Sequence, residues 1–449
     1  MLRVLARPLV GLVERYLPTS FVFAIVLTFV VAALAFGLTD SGPVEVVRAW
    51  GDGLTGLLAF MTQMALILLL GYTLASTRQV RALLTRVAAV PKGWQVYPFV
   101  TIIAAIASLI SWGLGLVVAG LLSVRVARVG RERGEPVHYP LLVACGYSGY
   151  VVWHMGYSGS APLAAATPGS FVDKQIGHTI PVSDTIFTSW NLIAIVVTVV
   201  LVAGAMAMLR PRPQDTVVEL DAGANEDPEP APASTDVEKP SPAERVDTSR
   251  VVTTAAGLAF VVYLVVYFVQ EGPALTLDIV NWTFLALILL LVRSPNELGR
   301  LVADGARTVG DILVQFPLYA GILGMMAGTG LIDVFSNFFV GISSDETLGF
   351  WSFLSGGFIN MFIPSGGGQY AVQGPIFLQA AQTLHVDPAV VTMGIAYGDQ
   401  WTNMIQPFWA IPLLAIAGLR IRDVLGFTTI TLLVSGVVFA VTMLLVGAG

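Results

Sequence analysis

The sequence FIPSGGGQ, at residues 362–369, interrupts a long apolar stretch of this chain with small and polar residues. A similar interruption in the first half, SLISWGLG, occupies residues 108–115. Each is followed by a second interrupted stretch, YSGYVVWHMGYSGSAPLAA at residues 147–165 and YGDQWTNMIQPFWAIPLLA at residues 397–415. Non-helical backbone within a bilayer is tolerated only where protein buries it or where it lines a cavity. Paired interruptions in the two halves of a membrane protein therefore point to a transport site.

The composition is that of a protein embedded in a membrane. Of the 449 residues, 55% are hydrophobic and 12% are charged, whereas a soluble protein has about 25% charged residues. The net charge of −6 arises in residues 211–250, which hold ten acidic and four basic residues and lack aromatic side chains. This composition predicts a disordered acidic linker. No basic patch suggests nucleic acid as a partner, and the single cysteine, Cys145, excludes a disulfide framework.

The apolar segments predict an all-α protein that crosses the membrane many times. Residues 95–127 and 349–381 would each form a helix of roughly 50 Å, too long for a hydrocarbon core of about 30 Å. We interpret each as a re-entrant hairpin of two half-helices, and residues 138–168 and 388–418 as spans that are unwound in the middle. Single spans, of about 20 apolar residues each, are predicted at 19–38, 54–77, 187–209, 251–270, 276–293, 305–328 and 425–446.

The positions of arginine and lysine predict the orientation. With a cytoplasmic N-terminus, every strongly basic loop lies on the cytoplasmic side, as the positive-inside rule requires. The two halves then cross the membrane in opposite directions, which makes them inverted repeats. The predicted parts are an amphipathic N-terminal segment (1–18), the first repeat (19–210), the disordered cytoplasmic linker (211–250), a connecting transmembrane helix (251–270) and the second repeat (271–449).

The hairpin tips are predicted to bind an anion. Half-helices that end within the membrane present free N–H groups and the positive end of the helix dipole. Glycines allow the backbone to approach a ligand closely, although they could instead serve only the tight turn and close helix packing. The candidate substrate-binding residues at the tips are Ser111, Gly113, Ser365, Gly366, Gly367, Gly368 and Gln369.

The unwound spans supply further polar side chains. Thr402 and Asn403 offer donors and acceptors to a substrate or a cation, while the alternative is that they satisfy backbone groups freed by the break. Aromatic side chains near the breaks could line an apolar pocket. The remaining substrate-binding candidates are His154, Ser158 and Ser160, and the candidates for ion coupling are Asp399, Asn403 and Gln406.

Two titratable side chains, His154 and Asp399, lie deep in the predicted spans. An ionisable residue inside the membrane is a candidate functional residue. Asp399 could carry a proton or bind Na⁺, and His154 could bind a carboxylate or relay protons near neutral pH. An ion pair between the two halves is the alternative. No arginine or lysine is visible within the predicted membrane interior, which favours a small monoanion over a dicarboxylate or a phosphate.

Four motifs resemble the bacterial short-chain fatty acid transporter family of the AtoE type. They are PTSFVFAIVLTF at 18–29, WGDGLTGLLAFMTQMALILLLGY at 50–72, FIPSGGGQYAVQGP at 362–375 and YGDQWTNMIQPFWAIPLLAIAGL at 397–419. The family belongs to the ion transporter superfamily, whose better-known members are dimers with inverted repeats, re-entrant hairpins and elevator motion.

The resemblance implies uptake of butyrate- or acetoacetate-like monocarboxylates across the bacterial inner membrane. It further implies a homodimer, coupling to H⁺ or Na⁺ and no other cofactor. Carried over to this chain, it places Ser365, Gly367, Gln369 and Asn403 at the substrate or ion site. The possible Na⁺ near Asp399 is instead inferred from the position of this carboxylate deep in a predicted span. The first tip, SWGLG, departs from the Ser-Asn-Thr pattern usual in the superfamily, which puts a cation site on that side in question.

Three other functions compete with this prediction. A transporter of a dicarboxylate or an amino acid would share the same architecture. An intramembrane enzyme would have to use His154 and Asp399, but the sequence contains neither a nucleophile–base set nor a metal-binding cluster. A channel is disfavoured by two inverted halves that are not identical. We therefore predict a transporter with no catalytic residues.

Overall fold

The computed structural model describes residues 20–212, 216–221, 241–307, 309–361 and 363–447. Over these residues the chain forms α-helices and short 3₁₀ helices, without any strand. Helices α1 to α10 are Ser20–Leu38, Pro43–Gly53, Leu58–Ser76, Arg78–Ala88, Val96–Ile110, Trp112–Glu132, Tyr139–Gly149, Ser160–Ala166, Phe171–Ile176 and Ser189–Met208. Helices α11 to α21 are Pro242–Asp247, Arg250–Glu271, Leu277–Leu291, Pro295–Ala306, Gly310–Gly328, Leu331–Ile342, Leu348–Asn360, Gly366–Leu384, Pro388–Thr402, Pro407–Ala417 and Ile421–Gly447.

Several of these helices are suited to a bilayer. Among the described residues, seven helical segments are long and apolar enough to cross a membrane. The outer surface of α12 shows why: Val251, Val262 and Val269 are exposed although they are apolar. In water such a surface would be unfavourable, whereas in lipid it is the expected covering of a span.

The first predicted hairpin reverses direction at Ser111. This residue is extended (φ −157°, ψ 131°) and separates α5 from α6. Next to the reversal, Gly115 lies against Ser108. At the opposite end, the Gly93 N–H donates to Glu135 Oε2 over 2.9 Å and the Arg133 guanidinium donates to a carbonyl of the loop before α5. The two helices are therefore antiparallel over their whole length, and α6 continues to Glu132, beyond the predicted boundary at 127.

The second hairpin reverses just before Gly366. Its arms, α17 and α18, are tied together by amide side chains of the returning arm. Gln369 Nε2 donates to the Gly356 carbonyl over 2.8 Å, and Gln373 Nε2 donates to Ser355 Oγ over 2.9 Å. Residue 362, within this interruption, lies outside the described residues.

Both predicted unwound spans contain a helix, a 3₁₀ turn, a break and a second helix. In the first half, α7 is followed by the 3₁₀ turn Tyr150–Met155 and, after a break, by α8. In the second half, α19 is followed by the 3₁₀ turn Asn403–Ile405 and by α20. The order of helices from α1 to α10 thus recurs from α13 to α21, apart from the small helix α9. Helices α11 and α12, between the two series, have no counterpart.

Two stretches of the predicted linker have a defined structure. At 216–221, the Tyr139 N–H donates to the Val218 carbonyl over 2.7 Å, and Leu220 is buried. Farther on, 241–247 begins with a capping box, in which Ser241 and Glu244 satisfy each other's backbone N–H groups, and forms α11. These stretches differ from the prediction of disorder throughout 211–250, because local caps and one buried leucine order them. Residues 213–215 and 222–240, and the predicted amphipathic segment 1–18, lie outside the described residues.

Candidate functional site

A cavity of about 490 Å³ lies where the two hairpin tips meet. Trp112 and Gly113 reach it from the first tip, and residues 364–367 reach it from the second. Apolar side chains of α3, α6 and α20, including Leu116 and Ile416, form much of the wall. The cavity is therefore lined by both of the interruptions that the sequence marks.

The second tip offers backbone donors to this cavity. The Ser365 hydroxyl accepts the Gly368 N–H over 3.3 Å and so caps α18, and the Ser365 carbonyl accepts the Gln369 N–H. Gly366 and Gly367 both line the cavity, and their N–H groups have no hydrogen-bond acceptor among the described residues. These groups stand at the positive end of a 19-residue helix, where an anion is stabilised.

Two residues predicted at this tip do not reach the cavity. Gly368 packs against Tyr319, which a Cβ atom would approach to 2.6 Å, so packing accounts for this glycine. Gln369 is fully buried, and its amide donates to the Gly356 carbonyl and to Gln373 Oε1. The prediction that Gln369 binds substrate is not supported by this position, because its donors already hold the hairpin together.

The first tip is arranged differently. Ser158 is fully buried, and its hydroxyl accepts the Trp112 N–H over 3.0 Å, so it caps α6 and does not line the cavity. Ser111 is also fully buried and its hydroxyl has no hydrogen-bond partner among the described residues. Of the predicted residues in this half, Gly113 and Ser160 line the cavity.

His154 and Asp399 form a contact between the two halves of the chain. His154 Nδ1 lies 2.8 Å from Asp399 Oδ2, and both side chains are fully buried. The Ala161 N–H donates to His154 Nε2 over 2.9 Å. Asp399 Oδ1 has no partner among the described residues. The two side chains therefore form the contact between halves that the alternative interpretation expects. Asp399 Oδ1 remains available for another hydrogen bond.

The other polar residues of the second unwound span converge on Asn360, which the sequence reading missed. Asn360 Nδ2 lies within hydrogen-bonding distance of the Asp399 carbonyl (2.7 Å), Thr402 Oγ1 (2.9 Å) and Asn403 Oδ1 (2.7 Å). The Gln406 amide donates to the Asn360 carbonyl. Thr402, Asn403 and Gln406 therefore stabilise the break and lie away from the cavity wall, although Asn403 Nδ2 and Gln406 Oε1 have no described partner. An isolated asparagine in the apolar sequence of α17 was the available signal.

Aromatic rings form the inner wall of the cavity. Trp112 and Trp409 meet edge to face, with ring centroids 5.4 Å apart, and Trp153 lies 6.2 and 5.9 Å from them. Trp153 in turn stacks on His154, with centroids 4.1 Å apart. A continuous aromatic contact therefore runs from the cavity to the buried histidine.

Two charged residues that are not among the predicted site residues also line the cavity. Arg307, which follows α14, and Asp311, in the first turn of α15, are exposed lining residues. Arg307 lies at the start of the predicted span 305–328, so the cavity reaches a basic side chain at a helix end, although none was expected within the membrane. Among the described residues, no group of three His, Cys, Asp or Glu side chains is placed to hold a metal ion.

The sequence pattern of the short-chain fatty acid transporter family matches residues 1–446. A protein named for short-chain fatty acid transport in Escherichia coli (strain K12) is 40% identical over 98% of this chain and 99% of its own length. A protein of the same name in Haemophilus influenzae is 38% identical over the same shares. Two solved structures are similar in fold. They are the YdaH transporter of Alcanivorax borkumensis (TM-score 0.60, 15% identity, 94% of this chain and 98% of that one) and MtrF of Neisseria gonorrhoeae, one of a class of antimetabolite efflux pumps (TM-score 0.53, 13% identity, 99% and 97%).

Proposed function

We propose, from the fact that this chain belongs to the short-chain fatty acid transporter family, that it carries butyrate- or acetoacetate-like monocarboxylates across the bacterial inner membrane. The family is one of transporters, so the chain is a membrane transporter and not an enzyme. One observation supports the substrate class above all others. The cavity between the hairpin tips combines backbone N–H groups that have no acceptor among the described residues with apolar and aromatic walls.

In this proposal the carboxylate binds at the start of α18. The N–H groups of Gly366 and Gly367 and the Ser365 side chain hold it, with Gly113 and Ser160 facing it from the other half. A short acyl tail then lies against the apolar and aromatic wall, because burying each CH₂ group contributes about 0.8 kcal/mol. A monoanion needs no buried cation at such a site, since the helix terminus supplies the positive potential.

The proposed mechanism is an elevator movement of inverted repeats within a homodimer. The recurrence of the helix order in the two halves supports the repeats. The positive-inside distribution supports their inversion and a cytoplasmic N-terminus. Both hairpins and both unwound spans would move as one unit, because the His154–Asp399 contact and the shared cavity join them. Transport is coupled to H⁺ or Na⁺, with Asp399 as the ion-binding residue.

Arg307 favours one second candidate, a transporter of dicarboxylates. A second carboxylate of a substrate held at Gly366 could reach toward this side chain across the cavity. The nearby Asp311 opposes such binding, because it adds a negative charge to the same wall.

Uptake into proteoliposomes distinguishes these functions. Radiolabelled butyrate, acetoacetate and succinate are supplied separately under imposed pH or Na⁺ gradients, with protein-free liposomes to subtract passive permeation of the acids. We expect accumulation of the two monocarboxylates and competition between them. Succinate uptake that excess butyrate does not reduce would replace the proposal by the dicarboxylate function.

A further inference from the structure

We propose that the ion transported with the substrate is a proton, and that Asp399 carries it while His154 holds the carboxyl group in position. This rests on the proposed carboxylate transport and adds the identity of the coupling ion and of its binding atom. The starting point is the buried contact of 2.8 Å between His154 Nδ1 and Asp399 Oδ2.

The hydrogen bonds around His154 determine where its proton lies. Nε2 accepts the Ala161 N–H over 2.9 Å, so this nitrogen carries no proton. In a neutral imidazole the proton is then on Nδ1, and it is donated to Asp399 Oδ2. A second proton on the ring would point at the Ala161 N–H and break that bond. His154 is therefore a neutral donor in this arrangement.

Asp399 retains one open position for a proton. Its Oδ1 atom is buried and has no partner within the described structure. A proton that enters from the aqueous side and binds Oδ1 leaves the Nδ1–H···Oδ2 hydrogen bond intact. The same proton leaves to the other aqueous side when the carboxyl group ionises again. Neither step needs another reactant or a change in the bonding of His154.

Among the described residues, the elements packed against the pair place no buried positive charge beside Asp399. Helices α8, α10 and α17 carry no charged or titratable side chain. Arg125, Arg128, Arg131 and Glu132 are in the half of α6 remote from the tip, and Arg422 and Asp423 are at the start of α21. The remaining titratable groups on elements packed against the pair are Tyr97, Tyr139, Cys145, Tyr147, Tyr150, Tyr370 and Tyr397. A proton on Asp399 is therefore the simplest way to neutralise this carboxylate in a low-dielectric site.

The pair is in direct contact with the tip that would hold the substrate. A Cβ atom at Gly366 would lie 2.9 Å from His154 Cε1 and 2.6 Å from the ring of Trp153. A carboxylate bound at this tip is consequently close to the charge on Asp399. The two negative charges repel strongly, because the site has a low dielectric constant. Protonation of Asp399 removes the repulsion, so proton and substrate strengthen each other's binding by the same factor.

This linkage makes transport electroneutral. One carboxylate and one proton together carry no net charge, so a pH gradient should drive accumulation, whereas a membrane potential imposed with valinomycin and K⁺ should not. A Na⁺ gradient should have no effect. The uptake of a proton on substrate binding can be measured on purified protein without any gradient.

The test is calorimetry of butyrate binding to the full-length protein in detergent. Titrations at one pH in two buffers with different ionisation enthalpies report how many protons are taken up with each butyrate. We expect one proton in the wild type and none in Asp399→Asn, which has the shape of the protonated carboxyl group and still accepts from His154. Asp345→Asn, in an exposed loop, is the matched control and should behave like the wild type.

The outcomes separate this inference from the function on which it rests. Butyrate binding that requires Na⁺ and takes up no proton would overturn proton coupling while leaving carboxylate transport in place. Proton uptake that persists in Asp399→Asn would overturn the assigned atom. If folded wild-type protein binds no short-chain carboxylate at all, the proposed function itself fails. If Asp399→Asn does not fold, the wild-type titrations with and without Na⁺ still decide between a proton and Na⁺ as the coupling ion.

Discussion

The substitution Gly366→Ala tests the proposed substrate site with a single methyl group. An added Cβ would lie 2.6 Å from Trp153 and 2.9 Å from His154, whereas ordinary contact begins at 3.4 Å. The tip would therefore have to move by about 0.8 Å, and the two rings are stacked against each other and buried, so they yield little. The N–H groups of Gly366 and Gly367 would move with the tip.

The expected loss of affinity follows from this displacement. Overpacking of a close contact costs about 1–3 kcal/mol. If the moved tip relieves this strain in the free protein, the strain returns when substrate binding requires the original tip position. Since about 1.4 kcal/mol corresponds to a factor of ten, the butyrate concentration at half-saturation should then rise roughly 5- to 150-fold. The assay is counterflow exchange of radiolabelled butyrate at equal pH on both sides, which needs no coupling gradient.

Two glycine variants separate an effect on the site from general strain. Gly204→Ala, in α10, has no atom within 4 Å of the new Cβ and should leave exchange unchanged. Gly146→Ala, in α7, meets Ser123 Oγ at 3.0 Å and Ala119 O at 3.1 Å outside the cavity, so it should lower thermal stability without raising half-saturation. Wild-type half-saturation in folded Gly366→Ala protein would refute the placement of the carboxylate at this tip.

Three other substitutions have defined expected outcomes. Ser158→Ala removes the cap on the Trp112 N–H and should destabilise the protein by about 1 kcal/mol, measured as a lower thermal unfolding temperature in detergent. An unchanged temperature would show that the cap contributes nothing. Asn360→Ala leaves the acceptors on Thr402 and Asn403 without this donor, and an unsatisfied buried group costs about 1–3 kcal/mol. The fraction of monodisperse protein in size-exclusion chromatography should therefore fall. Wild-type yield and stability of this variant would contradict a structural role for Asn360. Trp409→Ala enlarges the aromatic wall of the cavity, so longer carboxylates should compete better with butyrate, by about fourfold for each added CH₂ that becomes buried. Competition by butyrate, hexanoate and octanoate measures this, and an unchanged order of affinities would show that Trp409 does not limit chain length.

The positions of the helix breaks could be read from the sequence because they depend on local chemistry. An apolar stretch of excessive length must be interrupted, and glycine, serine and proline show where. The break at Ser111 and the start of α18 at Gly366 therefore lie within the quoted interruptions. The family could also be read from the motifs, and the match over residues 1–446 confirms that prediction.

The roles of individual polar residues could not be read in the same way. Ser158 and Ser365 are both serines next to glycines at a break. Ser158 caps a helix of the neighbouring segment, while Ser365 caps its own helix and lines the cavity. Gln369 and Asn403 similarly hold structure together, whereas Arg307 reaches the cavity from a helix end. Sequence shows which donors and acceptors are available, but their partners come from distant parts of the chain.

The sequence by itself determined that this chain is helical, lies in a membrane and is interrupted at paired sites, because span length and backbone satisfaction are local requirements of a bilayer. Only the tertiary structure decided that both tips line one cavity and that His154 meets Asp399. These contacts join residues from opposite halves of the chain. Their distances depend on how whole helices pack, and no spacing along the sequence encodes that packing.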